Sequence, residues 1–226
     1  MLKGLLLKDI YCVRFIALVG LAISGIPAIA LVISAGTAGN TAGNTVDNII
    51  GVLPYILCGI LIIMLNSSFM LNTLGEDYNS GWVRLQHTLP VTGRQLVDAK
   101  LAAALIVIGA LTLISLAINL IFGAANGQPL EIMLAAPFVT AALEICALFP
   151  AFPISMKLSG SLTSFICVVL EIAVITAVTI VLTAALDSNA PLWLLRTIFY
   201  AVIPAAAATT ALISRCFAMK YISAEE

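Results

Sequence analysis

Long apolar runs separated by short polar stretches make up most of the chain. Six runs come near the roughly 20 apolar residues that a helix needs to cross about 30 Å of hydrocarbon. Backbone groups in lipid have no water to bond, so each run is expected to be a helix. The pattern predicts an all-α, polytopic membrane protein in which residues 1–226 form one transmembrane domain. Its six transmembrane helices are placed at Phe15–Ser34, Ile49–Leu71, Leu101–Phe122, Ile132–Met156, Leu162–Leu186 and Leu194–Phe217.

Prolines interrupt this apolar pattern inside or near the ends of the predicted spans. Proline lacks the backbone N–H that a helix interior uses, so kinks are expected. The close pair Pro150 and Pro153 is predicted to break the fourth span near its end. The prolines concerned are Pro27, Pro54, Pro137, Pro150, Pro153 and Pro204.

The first 14 residues alternate apolar and charged positions at helical spacing. Leucines recur between Lys3, Lys8 and Arg14, a pattern typical of an amphipathic helix lying in the membrane interface. A basic start followed by an apolar run also fits a signal peptide. The run from Phe15 to Ser34 is longer than the apolar region of a signal peptide, which favours an interfacial helix, residues 1–14, leading into the first span.

The longest polar stretch, residues 73–100, lies between the second and third predicted spans. Glu76 and Asp77 open it, and acidic side chains suit a helix N-terminus. Residues 82–88 can form a short helix with Trp82 and Leu85 on one face, and Pro90 ends that helix. An amphipathic connector anchored at the lipid headgroups is one interpretation. The length of the stretch, and the presence of Trp82 beside Arg84, favour a protein-docking element instead.

The third span has its own start signal at the end of this stretch. Thr92 is a suitable N-cap, and Arg94, Gln95, Leu96 and Val97 follow it. The helix is predicted to run on through Asp98 and Lys100 into the membrane.

Composition and charge agree with a lipid environment. The 226 residues are 62% hydrophobic and 9% charged, with a mean hydropathy of +1.16, whereas soluble domains carry about 25% charged residues. A net charge of −1 argues against binding nucleic acid. The five scattered cysteines are interpreted as apolar core residues, so no disulfide framework, metal site or cofactor is expected.

The distribution of basic residues predicts the orientation. Segments assigned to the cytoplasm collect nearly all of them, which places both termini and residues 73–100 inside by the positive-inside rule. The outside segments keep Arg196. The inside set is Lys3, Lys8, Arg14, Arg84, Arg94, Lys100, Lys157, Arg215 and Lys220.

Two acidic residues lie inside predicted spans. Glu144 and Glu171 stand 13 residues before and 14 residues after Lys157, so an antiparallel hairpin brings them to similar depth. Ionisable residues in spans are candidates for function, and both are proposed to face the translocation path or each other. The alternative is structural, with each carboxyl bonded to a neighbouring helix. Asn66 and Asn119 are expected to bond between helices.

The block EDYNSGWVRLQHTLPVTGRQLVDAK, with the N-terminal pattern LLLKDIY, resembles the ABC-2 type transporter permeases, including small six-span bacterial permeases related to phenol-soluble-modulin exporters. Gly93 stands where that family usually has a basic residue, and Arg94 follows. The motif covers about residues 74–100 and the topology covers the whole chain. The matching positions are Glu76, Asp77, Ser80, Gly81, Trp82, Leu89, Pro90, Val91, Thr92, Val97 and Lys100.

The resemblance implies a permease subunit in the bacterial cytoplasmic membrane that is not itself an enzyme. A second permease subunit, identical or related, and separate ABC ATPase subunits would be its partners. The stretch between the second and third spans would be a coupling helix that fits a cleft on the ATPase. The residues assigned to this coupling are Glu76, Asp77, Trp82, Arg84, Leu85 and Pro90.

Two other functions remain open at this point. One is a membrane-anchored immunity or assembly factor that transports nothing. The other is a proton-coupled secondary transporter that uses Glu144 and Glu171, although such proteins usually show internal repeats and none is evident here. The chain has no G-x-x-x-x-G-K-[ST] motif and no plausible catalytic set of residues.

Overall fold

The computed structural model describes residues 2–38, 54–64, 92–126, 130–155 and 197–223, with residues 162, 165–166, 169–174 and 176–177. Within these ranges every residue except Thr92 and Asn126 is helical, so the all-α prediction is confirmed there. The helices are named as follows. α1 is Leu2–Ala38, α2 is residues 54–64 ending in the π-helical turn Ile60–Met64, α3 is Gly93–Ala125, α4 is Leu130–Ser155, and α5 is Ile203–Ser223, which follows the π-helical turn Ile198–Val202.

Three of the described helices have the length and apolar character to cross a membrane: Gly93–Ala125, Met133–Ile154 and Tyr200–Lys220. They correspond to the third, fourth and sixth predicted spans. Two shorter apolar stretches, Leu18–Ala30 and Pro54–Ile63, fall in the first and second predicted spans. The fifth span is described only in part, so the count of six stays a prediction.

The N-terminal segment and the first predicted span form one helix. α1 runs through 37 residues, past Arg14 and Pro27, without interruption. At 1.5 Å per residue it is about 55 Å long, well beyond a hydrocarbon core of about 30 Å. Its length therefore leaves room for a part outside the hydrocarbon, while the interfacial position of residues 1–14 stays a prediction.

The predicted break in the fourth span is wrong. α4 continues through Pro150 and Pro153 to Ser155. Pro153 has no N–H for the carbonyl of Phe149, four residues earlier, and the hydroxyl of Ser214 in α5 donates to that carbonyl at 2.5 Å. Hydroxyl groups on neighbouring helices let proline persist within membrane helices in this way.

α3 is the central helix of the described structure. It packs against α1, α4, α5 and the π-helical turn of α2. One face of α3 is buried along its length, and large apolar side chains such as Leu113 and Ile121 are exposed on the other. α1, α4 and α5 also carry exposed large apolar side chains, including Ile26, Phe138 and Leu212. Apolar outer faces of this kind are suited to contact with lipid tails.

Glycine allows α2 to approach α4 closely. Gly59 is buried, and a Cβ atom at this position would collide with the side chain of Thr140. Tyr55, Cys58, Ile62 and Ile63 of α2 are fully buried. This short helix is therefore part of the core.

Candidate functional site

The start of α3 follows directly on the polar stretch that the sequence assigns to docking. Thr92 caps the helix, as predicted: its hydroxyl accepts from the backbone N–H of Gln95 at 3.4 Å, and the Gln95 side chain accepts from the backbone N–H of Thr92 at 3.3 Å. This reciprocal pair is a capping box. It fixes the point at which the chain enters α3.

Two charged side chains among the first eight residues of α3 contact two other helices. We call this group the charged end of the bundle; it consists of Lys8 and Asp9 in α1, Asp98 and Lys100 in α3, and Arg215 in α5. Residues two apart on a helix point in nearly opposite directions. Asp98 and Lys100 can therefore bind different neighbours from one turn of α3.

Lys100 forms the buried half of the charged end. Its Nζ lies 3.6 Å from Oδ2 of Asp9, and the side chains are only 8% and 5% exposed. Lys8 lies on the other side of Asp9, with 3.8 Å between Nζ and Oδ1. Burial makes this pair sensitive to the loss of either charge.

Asp98 forms the exposed half. Nε of Arg215 donates to Oδ1 at 2.7 Å, and Nη2 donates to Oδ2 at 3.0 Å. This bidentate geometry is the strong form of an arginine–carboxylate pair. Asp98 precedes the predicted third span, and the hydrogen bond from Arg215 lowers the pKa of its carboxyl. Neighbouring Ser214 binds α4, so two consecutive residues of α5 hold two different helices.

The predicted coupling residues lie outside the described residues: Glu76, Asp77, Trp82, Arg84, Leu85 and Pro90. Within the motif, Thr92, Val97 and Lys100 are described. Val97 is fully buried, and Thr92 and Lys100 have the roles given above. The structure thus describes the contacts of the last part of the motif, from Thr92 to Lys100. The docking role of its first part stays a prediction.

Sequence reasoning did not identify Asp9, Asp98 or Arg215 as site residues. Asp9 is the one acidic residue among the first 14, and its isolation in a basic, apolar segment was a usable signal. Arg215 lies 117 residues from Asp98 along the chain. No local pattern identifies that pairing.

Both acidic residues predicted inside the membrane are buried. Glu144 in α4 is 0% exposed and Glu171 is 8% exposed. Whether they face each other or a translocation path stays a prediction. In the described part of the chain, no three His, Cys, Asp or Glu side chains are grouped to hold a metal ion.

A family model described as ABC-2 family transporter protein matches residues 4–223. Neither curated proteins nor solved structures give a match. The matched range includes every helix of the described bundle except the first two residues of α1.

Proposed function

The chain belongs to the ABC-2 family of transporter proteins, and on that premise we propose that it is the permease subunit of an ATP-driven exporter. Two permease subunits, identical or related, would form the translocation path in the bacterial cytoplasmic membrane. Separate ABC ATPase subunits would hydrolyse the ATP. Both termini and residues 73–91 would lie on the cytoplasmic side, where an ATPase can reach them.

The observation that carries the proposal is the position of the charged end. α3 starts immediately after the polar stretch, and its first eight residues bind α1 through Lys100 and α5 through Asp98. A force applied to the polar stretch would act on three helices together. Such an arrangement suits a subunit that is moved from outside the membrane.

The length and continuity of α3 support this transmission. Its 33 residues span about 50 Å at 1.5 Å per residue. A displacement at its capped start is carried as a rigid-body movement to the far side of the membrane. α4 and α5 would follow because both pack on α3.

Within this proposal, residues 76–90 form the coupling element that the ATPase holds. Trp82 and Leu85 would supply the apolar contact, and Arg84 the polar one. Glu76 and Asp77 would begin the element, and Pro90 would end its helix before Thr92 starts α3. An aromatic residue and an arginine are the side chains most enriched at the energetic centres of protein interfaces.

Glu144 and Glu171 would line the translocation path, an assignment that rests on their burial within apolar segments. Replacing both with glutamine keeps their size and removes their charge. Reduced export at unchanged protein level would support a place in the path. Unchanged export would indicate that both glutamates have a structural role.

The docking claim is tested by co-purification with a candidate partner ABC ATPase. The Trp82→Ala/Arg84→Ala variant should retain the membrane fold and lose the ATPase. Trp193→Ala, at the other tryptophan of the chain, is the matched control and should keep it. Retention of the ATPase and of export by the double variant would refute the docking role. Family membership does not favour the immunity-factor or proton-coupled alternatives.

A further inference from the structure

Asn119 is an unusual residue in the buried face of α3. Its side chain is fully buried within the 33-residue apolar helix. Among the residues that the structure describes, neither its amide nitrogen nor its amide oxygen has a hydrogen-bond partner. The expectation of a direct bond between Asn119 and a neighbouring helix is therefore wrong for the described structure.

Two other polar side chains on the same face have hydrogen-bond partners, whereas the hydroxyl of Ser115 has none among the described residues. Thr112 donates to the carbonyl of Ile108 in its own helix at 2.7 Å. Asn126, at the end of α3, donates to the hydroxyl of Tyr55 in α2 at 3.4 Å. Asn119 lies between these two pairs along α3. A buried amide without partners is strongly unfavourable away from water, so this position requires a further hydrogen-bonding group.

The surroundings of Asn119 define the kind of group that fits. Ser115 is one helical turn away and fully buried, and the thiol of Cys58 in α2 lies against it. Side chains four residues apart have Cβ atoms about 5–6 Å from each other, a distance that one small molecule bridges. The amide both donates and accepts, as do the hydroxyl and, weakly, the thiol. All three groups are neutral in their ordinary forms.

We propose that Cys58, Ser115 and Asn119 form an internal water-binding site, the Asn119 site, between α2 and α3. Water is small, neutral, and both a donor and an acceptor. Buried water typically makes about three hydrogen bonds, and the Asn119 site supplies an amide, a hydroxyl and a thiol. The site lies within the apolar length of α3, so the water is enclosed by protein and separated from the bulk solvent.

Radiolytic hydroxyl-radical labelling tests the site, because a side chain buried from bulk solvent is oxidised only when a water molecule lies beside it. The full chain, reconstituted in lipid nanodiscs, is exposed to short X-ray pulses, and oxidation is located by mass spectrometry. Cys58 is the reporter, and Phe149, which is 2% exposed, is the dry reference. After each yield is divided by the intrinsic reactivity of its side chain, which is greater for a thiol than for a phenyl ring, we expect oxidation of Cys58 well above that of Phe149.

The Asn119→Leu variant identifies which residue holds the water. It should lose most of the Cys58 oxidation. Equal oxidation in both proteins, or a wild-type Cys58 as unreactive as Phe149 after the same normalisation, would overturn the proposal. If the variant does not fold, the wild-type comparison of Cys58 with Phe149 still decides. No cargo or ATPase is needed, so the outcome is independent of the proposed transport function.

Discussion

Replacing Lys100 with methionine removes one charge from the buried ion pair at the charged end and keeps the length of the side chain. The remaining charge, on Asp9, stays in a position where its side chain is only 5% exposed. The variant therefore tests whether α1 and α3 are joined by a desolvated pair. It also tests one of the two links on which the proposed transmission depends.

The geometry sets the expected size of the effect. At 3.6 Å the attraction between two unit charges is about 5 kcal/mol for an effective dielectric constant of about 20, and desolvation offsets much of it. Removing one partner of a buried pair usually costs about 3–5 kcal/mol. Lys8 lies 3.8 Å from Asp9 and reduces the loss, so we predict a cost near the lower end, about 3 kcal/mol.

The double variant Asp9→Asn/Lys100→Met, measured together with Asp9→Asn alone, completes the cycle. It leaves neither charge buried, so its stability should return to within about 1 kcal/mol of the wild type. The assay is reversible unfolding of the full chain in mixed micelles, with free energies compared in a double-mutant cycle. A single variant that loses less than about 1 kcal/mol, as an exposed pair would, would show that the Asp9–Lys100 pair is not desolvated. A double variant as unstable as the single one would show the same.

Three further predictions concern other contacts between the helices. The Asp98–Arg215 pair, with side chains 38% and 46% exposed, should contribute only about 0.2–1 kcal/mol, as measured for Asp98→Asn by the same unfolding assay. Because Arg215 lowers the pKa of Asp98, the contribution of the pair to stability is complete at any pH above the ordinary pKa of aspartate. It is lost as the pH falls through the lowered pKa, and an acid titration of the stability of the wild type and of Asp98→Asn would detect this loss. Ser214→Ala removes the hydroxyl that donates to the carbonyl of Phe149, and it should cost about 1–3 kcal/mol. The control is Thr209→Ala, at an exposed position whose hydroxyl bonds within its own helix, and it should leave the unfolding midpoint unchanged. Equal losses in the two variants would contradict the role of Ser214. Gly59→Ala should cost about 1–3 kcal/mol, because the added Cβ collides with Thr140. Gly109 has open space around it, so Gly109→Ala should stabilise α3 by about 0.5–1 kcal/mol. A Gly59→Ala variant as stable as the wild type would show that α2 and α4 do not meet there.

Features with local causes were predictable from the sequence. The capping box of α3 needs only Thr92 and Gln95, three residues apart, and the helix after it follows from an unbroken apolar run. The third and fourth predicted spans, at Leu101–Phe122 and Ile132–Met156, lie close to α3 and α4 for the same reason. Lipid favours helix wherever such a run is long enough.

Features with distant causes were not predictable. α4 continues past its prolines with a donor from Ser214, which is 65 residues away along the chain. Asp9 and Lys100 belong to helices separated by the whole of α2 and the polar stretch. The sequence motif includes Lys100. Its contact with Asp9 becomes evident only from the packing of α1 on α3.

ATP hydrolysis by the reconstituted complex tests whether an ATPase moves this chain through the start of α3. The chain and a candidate partner ABC ATPase are purified together and placed in lipid nanodiscs, and hydrolysis is measured with wild type and with Trp82→Ala/Arg84→Ala. We expect a stable complex whose ATPase activity depends on the wild-type chain and falls to the level of the free ATPase in the variant. An ATPase that neither binds the chain nor changes its activity in its presence would rule out this coupling.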